Sequence, residues 1–184
     1  MKYLYGAAIA VGIMGSAAAY AQTAQTQPAV SSPNGASRLS ASDQDFVQKA
    51  AAGGLFEVEA GKIAEKKASN AQVRQFAARM VRDHSEADNK LKQIVSADGG
   101  TVPNDLDPEH QQALQQLTSQ QGPDFDRNYM QTMVKDHDTD AQAFGRAVQS
   151  LDDPKLKTFA QQTLKVIDEH DKMAHQITEK MASR

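Results

Sequence analysis

The sequence predicts an all-α fold, a four-helix bundle with one long crossover that carries a short extra helix. Three observations lead there. Apolar residues recur at steps of three and four through most of residues 42–184, while β-branched and aromatic residues never alternate for long. Two breaks in that pattern, around Ser69-Asn70 and Asp152-Asp153, are short enough to join only antiparallel neighbours. The third break, from Gly99 to Gly122, is long enough to run the length of a bundle.

The first helix is expected from about Ser42 to Lys67. Ser42 is the expected N-cap, with Asp43 and Asp45 in the first turn, where the helix dipole favours acids. Its Ala- and Gly-rich composition leaves two phases open. Phe46, Ala50, Gly53, Glu57, Ala60 and Ala64 form one stripe and place Glu57 inside; Phe56, Glu59 and Ile63 form another and favour Glu59. The second helix starts after Asn70 and is stopped near Ala97 by Gly99-Gly100. Its core stripe is Val73, Phe76, Met80, His84, Ala87, Leu91 and Ile94. Inside the crossover, Asp107-Pro108 opens a short helix carrying Leu114 and Leu117. The next long helix starts near Pro123 and runs to about Ser150, with Met130, Met133, His137, Asp140, Phe144, Ala147 and Leu151 facing in. The last is capped by Asp152 or Asp153 and runs nearly to the end of the chain. Its stripe is Leu156, Phe159, Thr163, Val166, His170, Met173 and Ile177. Two helical hairpins joined by one crossover make a ferritin-like four-helix bundle.

Residues 1–21 read as a secretory signal peptide: Lys2 supplies a positive start, an apolar run follows, and Ala19-Tyr20-Ala21 fits small-x-small cleavage. A retained membrane anchor competes, but the run is rich in Ala and Gly and poor in Leu and Phe. Residues 22–41 are Gln, Thr, Ser, Pro and Ala with almost no large apolar side chains. They bury too little to offset their ordering entropy and read as a flexible polar tether to the bundle at 42–184. The chain has no Cys, which excludes disulfides and thiolate metal ligands. Removing Lys2 with the leader leaves 19 basic residues against 23 acidic ones. That balance excludes the basic face nucleic acid needs and a polybasic patch for anionic lipid.

The chemistry lies in three repeats of one pair: Asp83-His84, Asp136-His137 and Glu169-His170. Each histidine takes the place of a core residue near the middle of its helix. Burying three polar rings together is costly unless they share partners or a metal. His84, His137 and His170 with Glu57 are therefore the candidate metal ligands, with Glu59 as the alternative acid from the first helix. Asp83, Asp136 and Glu169 stand about 100° around the helix from their histidines. They are candidates to orient neighbouring rings, or plain boundary acids. Asp88, one turn after His84, and Asp140, three residues after His137, could reach the same region as oxygen ligands. Met80 and Met133, each one turn before a histidine, are thioether candidates, although Met commonly fills core gaps. Imidazole with thioether suits copper, and three imidazoles with a carboxylate suit zinc; iron and manganese stay open. The Glu-x-x-His pattern of carboxylate-bridged di-iron centres is missing, because Val81, Val134 and Ile167 stand three residues before the histidines. His110, in the polar crossover, and His175, off the core stripe, read as surface residues. No Ser/His/Asp arrangement, phosphate-binding glycine loop or dinucleotide-binding motif is found.

The run from Ala51 to Val58, the segment Phe76-Ala77-x-x-Met80-Val81-x-Asp83-His84-Ser85-x-Ala87, Phe125-Asp126-x-x-Tyr129 and the late His170 together resemble an exported bacterial family called domain of unknown function 4142. The resemblance spans nearly all of residues 42–182. It implies a ferritin-like bundle, export to the periplasm and association with the outer membrane; it implies no activity. Three functions follow as expectations. The first is an exported bundle that buffers or carries a transition metal ion. The second is a metal-dependent oxidase or peroxide-handling enzyme at the same residues. The third is a non-catalytic envelope protein with a His/acid polar core, whose outer faces bind an envelope protein or the membrane surface.

Overall fold

A computed structural model describes residues 38–183; the expected signal peptide and nearly all of the tether lie outside them. Five helices follow in order: α1 Ala41–Lys67, α2 Ala71–Ala97, α3 Pro108–Thr118, α4 Gly122–Ser150 and α5 Pro154–Ala182. No strand occurs among the described residues. None of these helices is long and apolar enough to cross a membrane.

The helix starts are set by polar caps. α1 begins one residue earlier than expected, and Ser40, not Ser42, is its N-cap. The Ser40 hydroxyl accepts from the Asp43 N–H and the Asp43 carboxylate accepts from the Ser40 N–H, a reciprocal capping box. Asp43 wins over Asp45 because its other oxygen accepts the backbone N–H of Asp152 at 3.0 Å, tying the start of α1 to the α4–α5 turn. Leu39 is buried among the core side chains, so the fold takes in the last residues assigned to the tether. Asn70 caps α2, Asp107 caps α3 and Asp153 caps α5. α2 ends where Gly99 takes φ +75° and the Gly100 N–H returns to the Val95 carbonyl. α4 has no side-chain cap; Gly122 at φ +57° turns the chain into Pro123. The buried Asp126 carboxylate of α4 instead caps the α1–α2 turn, accepting the N–H groups of Ser69 at 2.9 Å and Asn70 at 2.8 Å.

These ties fix the topology. The start of α1 meets the α4–α5 turn and the start of α4 meets the α1–α2 turn. Every neighbouring pair of long helices therefore runs antiparallel. α1 packs on α2 and α4, α5 packs on the same two, and α3 closes over α1 and α4. The long α2–α4 connection carries the chain back along the bundle, which is the expected ferritin-like arrangement.

The core is two apolar clusters. One, toward the α1–α2 turn, is built on Phe76, Met80, Phe125, Tyr129, Met133 and Ile177. The other, toward the α4–α5 turn, is built on Phe46, Leu91, Phe144, Leu156, Phe159 and Ile167. In α1 the Phe46–Glu57 stripe is inside, and Glu59 points outward to Lys62. The α5 stripe is rotated from the expected one: Ala160, Ile167 and Ala174 are buried, while Thr163, Val166 and Met173 are only partly covered. The small Ala160 and Ala174 let α5 approach its neighbours closely, so the larger side chains sit at the edges of the contact.

Candidate metal centre

Between the two apolar clusters lies one polar layer, to which each long helix contributes a side chain: Glu57 from α1, His84 from α2, His137 from α4 and His170 from α5. Glu57 is 2% exposed, His84 6%, and His137 and His170 not at all. The ring centroids of the three histidines stand 5.2–5.6 Å apart. One ring nitrogen from each lies within 4.8 Å of the other two.

Hydrogen bonds decide which nitrogens are free. His137 Nδ1 lies 2.9 Å from the Met133 carbonyl oxygen, which can only accept, so the proton is on Nδ1. Glu57 Oε1 lies 3.3 Å from the same Nδ1 and gains no hydrogen bond, because that hydrogen is already committed. His137 Nε2 then carries a lone pair, is buried, and has no partner. His84 Nδ1 donates to Glu57 Oε2 at 2.9 Å. His170 Nε2 donates to Asp83 Oδ2 at 2.9 Å, which turns His170 Nδ1 toward His84 Nε2 at 3.3 Å. The carboxylates thus hold the outer nitrogens of two rings and Met133 holds that of the third; the inner nitrogens of His84 and His170 bond each other, and His137 Nε2 is left over.

Charge follows the same pattern. Burial pushes the Glu57 carboxyl up, but His84 and His137 beside it outweigh this and bring it to about 2. Burial pushes His84 down, but Glu57 and the more distant Asp88 and Asp140 outweigh it, so His84 is raised and pairs with Glu57 as an imidazolium. His137 is lowered by burial. His170 is lowered to about 4 by burial and by the His84 and His137 rings, against the pull of Asp83. The layer without a metal is therefore one ion pair beside two neutral rings.

The sequence profile of the family described as Domain of unknown function (DUF4142) matches residues 28–177. The chain belongs to that family. Among solved structures, the crystal structure of a DUF305 fragment from Deinococcus radiodurans superposes with a TM-score of 0.68 at 12% identity, covering 77% of this chain and 98% of that one. At that identity the likeness speaks for the fold alone. No curated protein matches the chain.

The other candidate residues of this DUF4142 chain fall into distinct places. Asp83 is partly buried, holds His170, and is itself paired with Arg79 at 3.1 Å and Arg82 at 3.0 Å; the carboxyl stays below its ordinary value because His170 and Arg79 hydrogen-bond it against the effect of burial. Glu169 faces outward and pairs with Arg79. Arg79, which also donates to Met173 Sδ, clamps α2 to α5; its i,i+4 spacing to Asp83 was the only sequence signal for it. Asp88 lies on Gly54 and Asp140 lies near Gly53, where glycine leaves the space a side chain would fill. With Asp136 they are partly buried acids that each feel the Glu57 charge. Burial raises Asp88 and Asp136 to about 6, and burial with Glu57 and Asp136 raises Asp140 to about 7. Met80 and Met133 are fully buried in the apolar cluster. His110 is not a free surface ring: it bonds Asp107 and lies over Phe56, with ring centroids 5.1 Å apart. A surface cleft of about 280 Å³ between α2 and α5 is lined by Asp83, His84, Thr163 and Val166, so the centre is one side chain from solvent.

Proposed function

We propose that this bundle is an exported metal-binding protein that buffers or carries a transition ion on His84, His137 and His170. The observation that carries the reading is His137 Nε2, a buried lone pair with no hydrogen-bond partner. Leaving a buried polar nitrogen unsatisfied costs about 1–3 kcal/mol, and a metal ion would remove that cost. The donor set supports zinc or copper, which accept neutral imidazoles, ahead of iron or manganese, which favour more oxygen ligands. Glu57 and Asp83 act through the rings, as carboxylates that fix metal-ligating imidazoles do. The cleft beside His84 gives an ion a short way in. Export rests on the leader-like residues 1–21.

A second reading, a metal-free polar core in an envelope protein, is favoured by the continuous Glu57–His84–His170–Asp83 chain of hydrogen bonds. Elemental analysis of untagged protein from the periplasm, beside the His84→Ala/His137→Ala/His170→Ala variant, separates the two. Near-stoichiometric metal that disappears in the variant is expected. Metal-free protein whose melting temperature ignores added zinc and copper would leave the polar-core reading.

A further inference from the structure

A second set of donors stands on the outside of the same two turns of α4 and α5. Asp138 follows His137 and Asp171 follows His170, so both side chains are rotated about 100° away from the buried layer. Asp171 and His175 are four residues apart on α5 and share a face; Asp138 comes from the neighbouring α4. One donor atom from each of the three lies within 4.8 Å of the others.

His175 stands at ion-pair distance from both acids. His175 Nε2 is 3.4 Å from Asp171 Oδ1 and 3.9 Å from Asp138 Oδ1. The Asp171 side chain is 25% exposed, but its Oδ1 is covered and accepts no hydrogen bond, although the imidazole is beside it. The three donors gather at ion-pair distance, and no hydrogen bond from the imidazole closes on Asp171 Oδ1. Donors that share one ion at about 2.1 Å stand roughly 3.0–3.4 Å apart, so small side-chain rotations close the set around a cation. A cleft of about 350 Å³ reaching Asp138 and His175, with Lys135, Thr139 and Thr178 in its wall, leaves room for water on the remaining positions.

We propose that Asp138, Asp171 and His175 form a second, exchangeable site for a first-row divalent cation. Two carboxylates neutralise the charge of the ion. The imidazole selects zinc-like ions over calcium and magnesium, which take oxygen ligands. His175 is 48% exposed and Asp138 57%, so the ion enters and leaves without any opening of the bundle. The site does not depend on the buried histidines.

Zinc titration of the untagged chain by calorimetry tests this, with His175→Gln and Asp138→Asn beside the parent. Both residues are exposed, and unchanged melting curves without metal confirm that the variants fold. The parent is expected to bind one equivalent more than either variant, or to bind that equivalent at least tenfold more tightly. The His175 ring-proton resonances are expected to move or broaden with that equivalent. Variants that bind the same number of ions with the same affinity would overturn the proposal, as would a parent that binds none. An equivalent lost only in His170→Ala overturns this site and leaves the buried centre standing. An equivalent lost only in His175→Gln supports this site and removes the buried one.

Discussion

At the scale of single residues, the centre is defined by where its hydrogens sit. Asp83 accepts from His170 Nε2 and so aims His170 Nδ1 inward. Asp83→Ala removes that acceptor while leaving all three rings in place. Metal affinity is expected to fall about 10–100-fold, with partial recovery in Asp83→Asn, which keeps an oxygen acceptor. Competition against a chelator of known affinity measures this. An unchanged affinity would mean that Asp83 only anchors Arg79 and Arg82. The three histidines were legible in the sequence because each interrupts an apolar stripe at a core position. The role of Asp83 was legible only as one of two readings, an acid that orients a neighbouring ring or a plain boundary acid. It orients a ring on another helix, and its place before His84 gives its bearing on α2 without saying which side chain of α5 lies there. Glu57 was legible only as one of two phases, since the small side chains of α1 mark no single apolar face.

At the scale of helices, small residues on α1 set how close its neighbours come. A Cβ on Gly61 would stand 2.8 Å from Val81 Cγ2 and 3.3 Å from the Ala77 carbonyl oxygen of α2. Neither atom yields easily, because one is backbone and the other belongs to a side chain stiff at χ1. Gly61→Ala is therefore expected to destabilise the fold by about 1–3 kcal/mol despite its better helix propensity. Gly54→Ala is the useful contrast. Its Cβ would stand 2.4 Å from Asp88 Oδ1, the free end of a side chain that can swing away. Helix propensity favours that change by about 1 kcal/mol, so its net effect should be near zero or stabilising. Urea midpoints of the two variants check the pair, and equal losses would show that α1–α2 spacing is not set at Gly61. Helix number, order and connection lengths were legible because period and breakers are local properties. The rotation of α5 was not, since choosing Ile167 over Val166 for the core depends on how near Ala160 and Ala174 bring the other helices. The start of α1 was missed for a similar reason: Asp43 is held by the distant Asp152 N–H, a tertiary bond that no local pattern contains.

At the scale of the whole molecule, a charged layer divides the apolar core, and its groups respond to pH in opposite directions. Glu57 sits at about 2 against an ordinary 4.5, so its contribution is complete at neutral pH and is lost as pH falls from about 4.5 toward 2. His170 sits at about 4 against an ordinary 6.5. The unfolded chain takes up that proton first, so stability also falls as pH drops through that window. Asp88 and Asp136 at about 6, and Asp140 at about 7, work the other way. The folded chain takes up their protons first, so near neutrality and above they cost stability, and acid relieves the cost. Asp88→Asn/Asp140→Asn isolates that cost. Without metal, the variant is expected to be more stable than the parent by roughly 1–2 kcal/mol at pH 8. The advantage should shrink steadily toward pH 5, as the parent's carboxyls become neutral. Both proteins should also share a loss of stability that starts below about pH 6.5, as the unfolded chain takes up the His170 proton, and steepens below about pH 4.5, as it takes up that of Glu57. Urea denaturation from pH 4.5 to 8 reads the difference. An advantage independent of pH would mean that the asparagines act through packing, and that these acids carry no electrostatic strain for a cation to relieve.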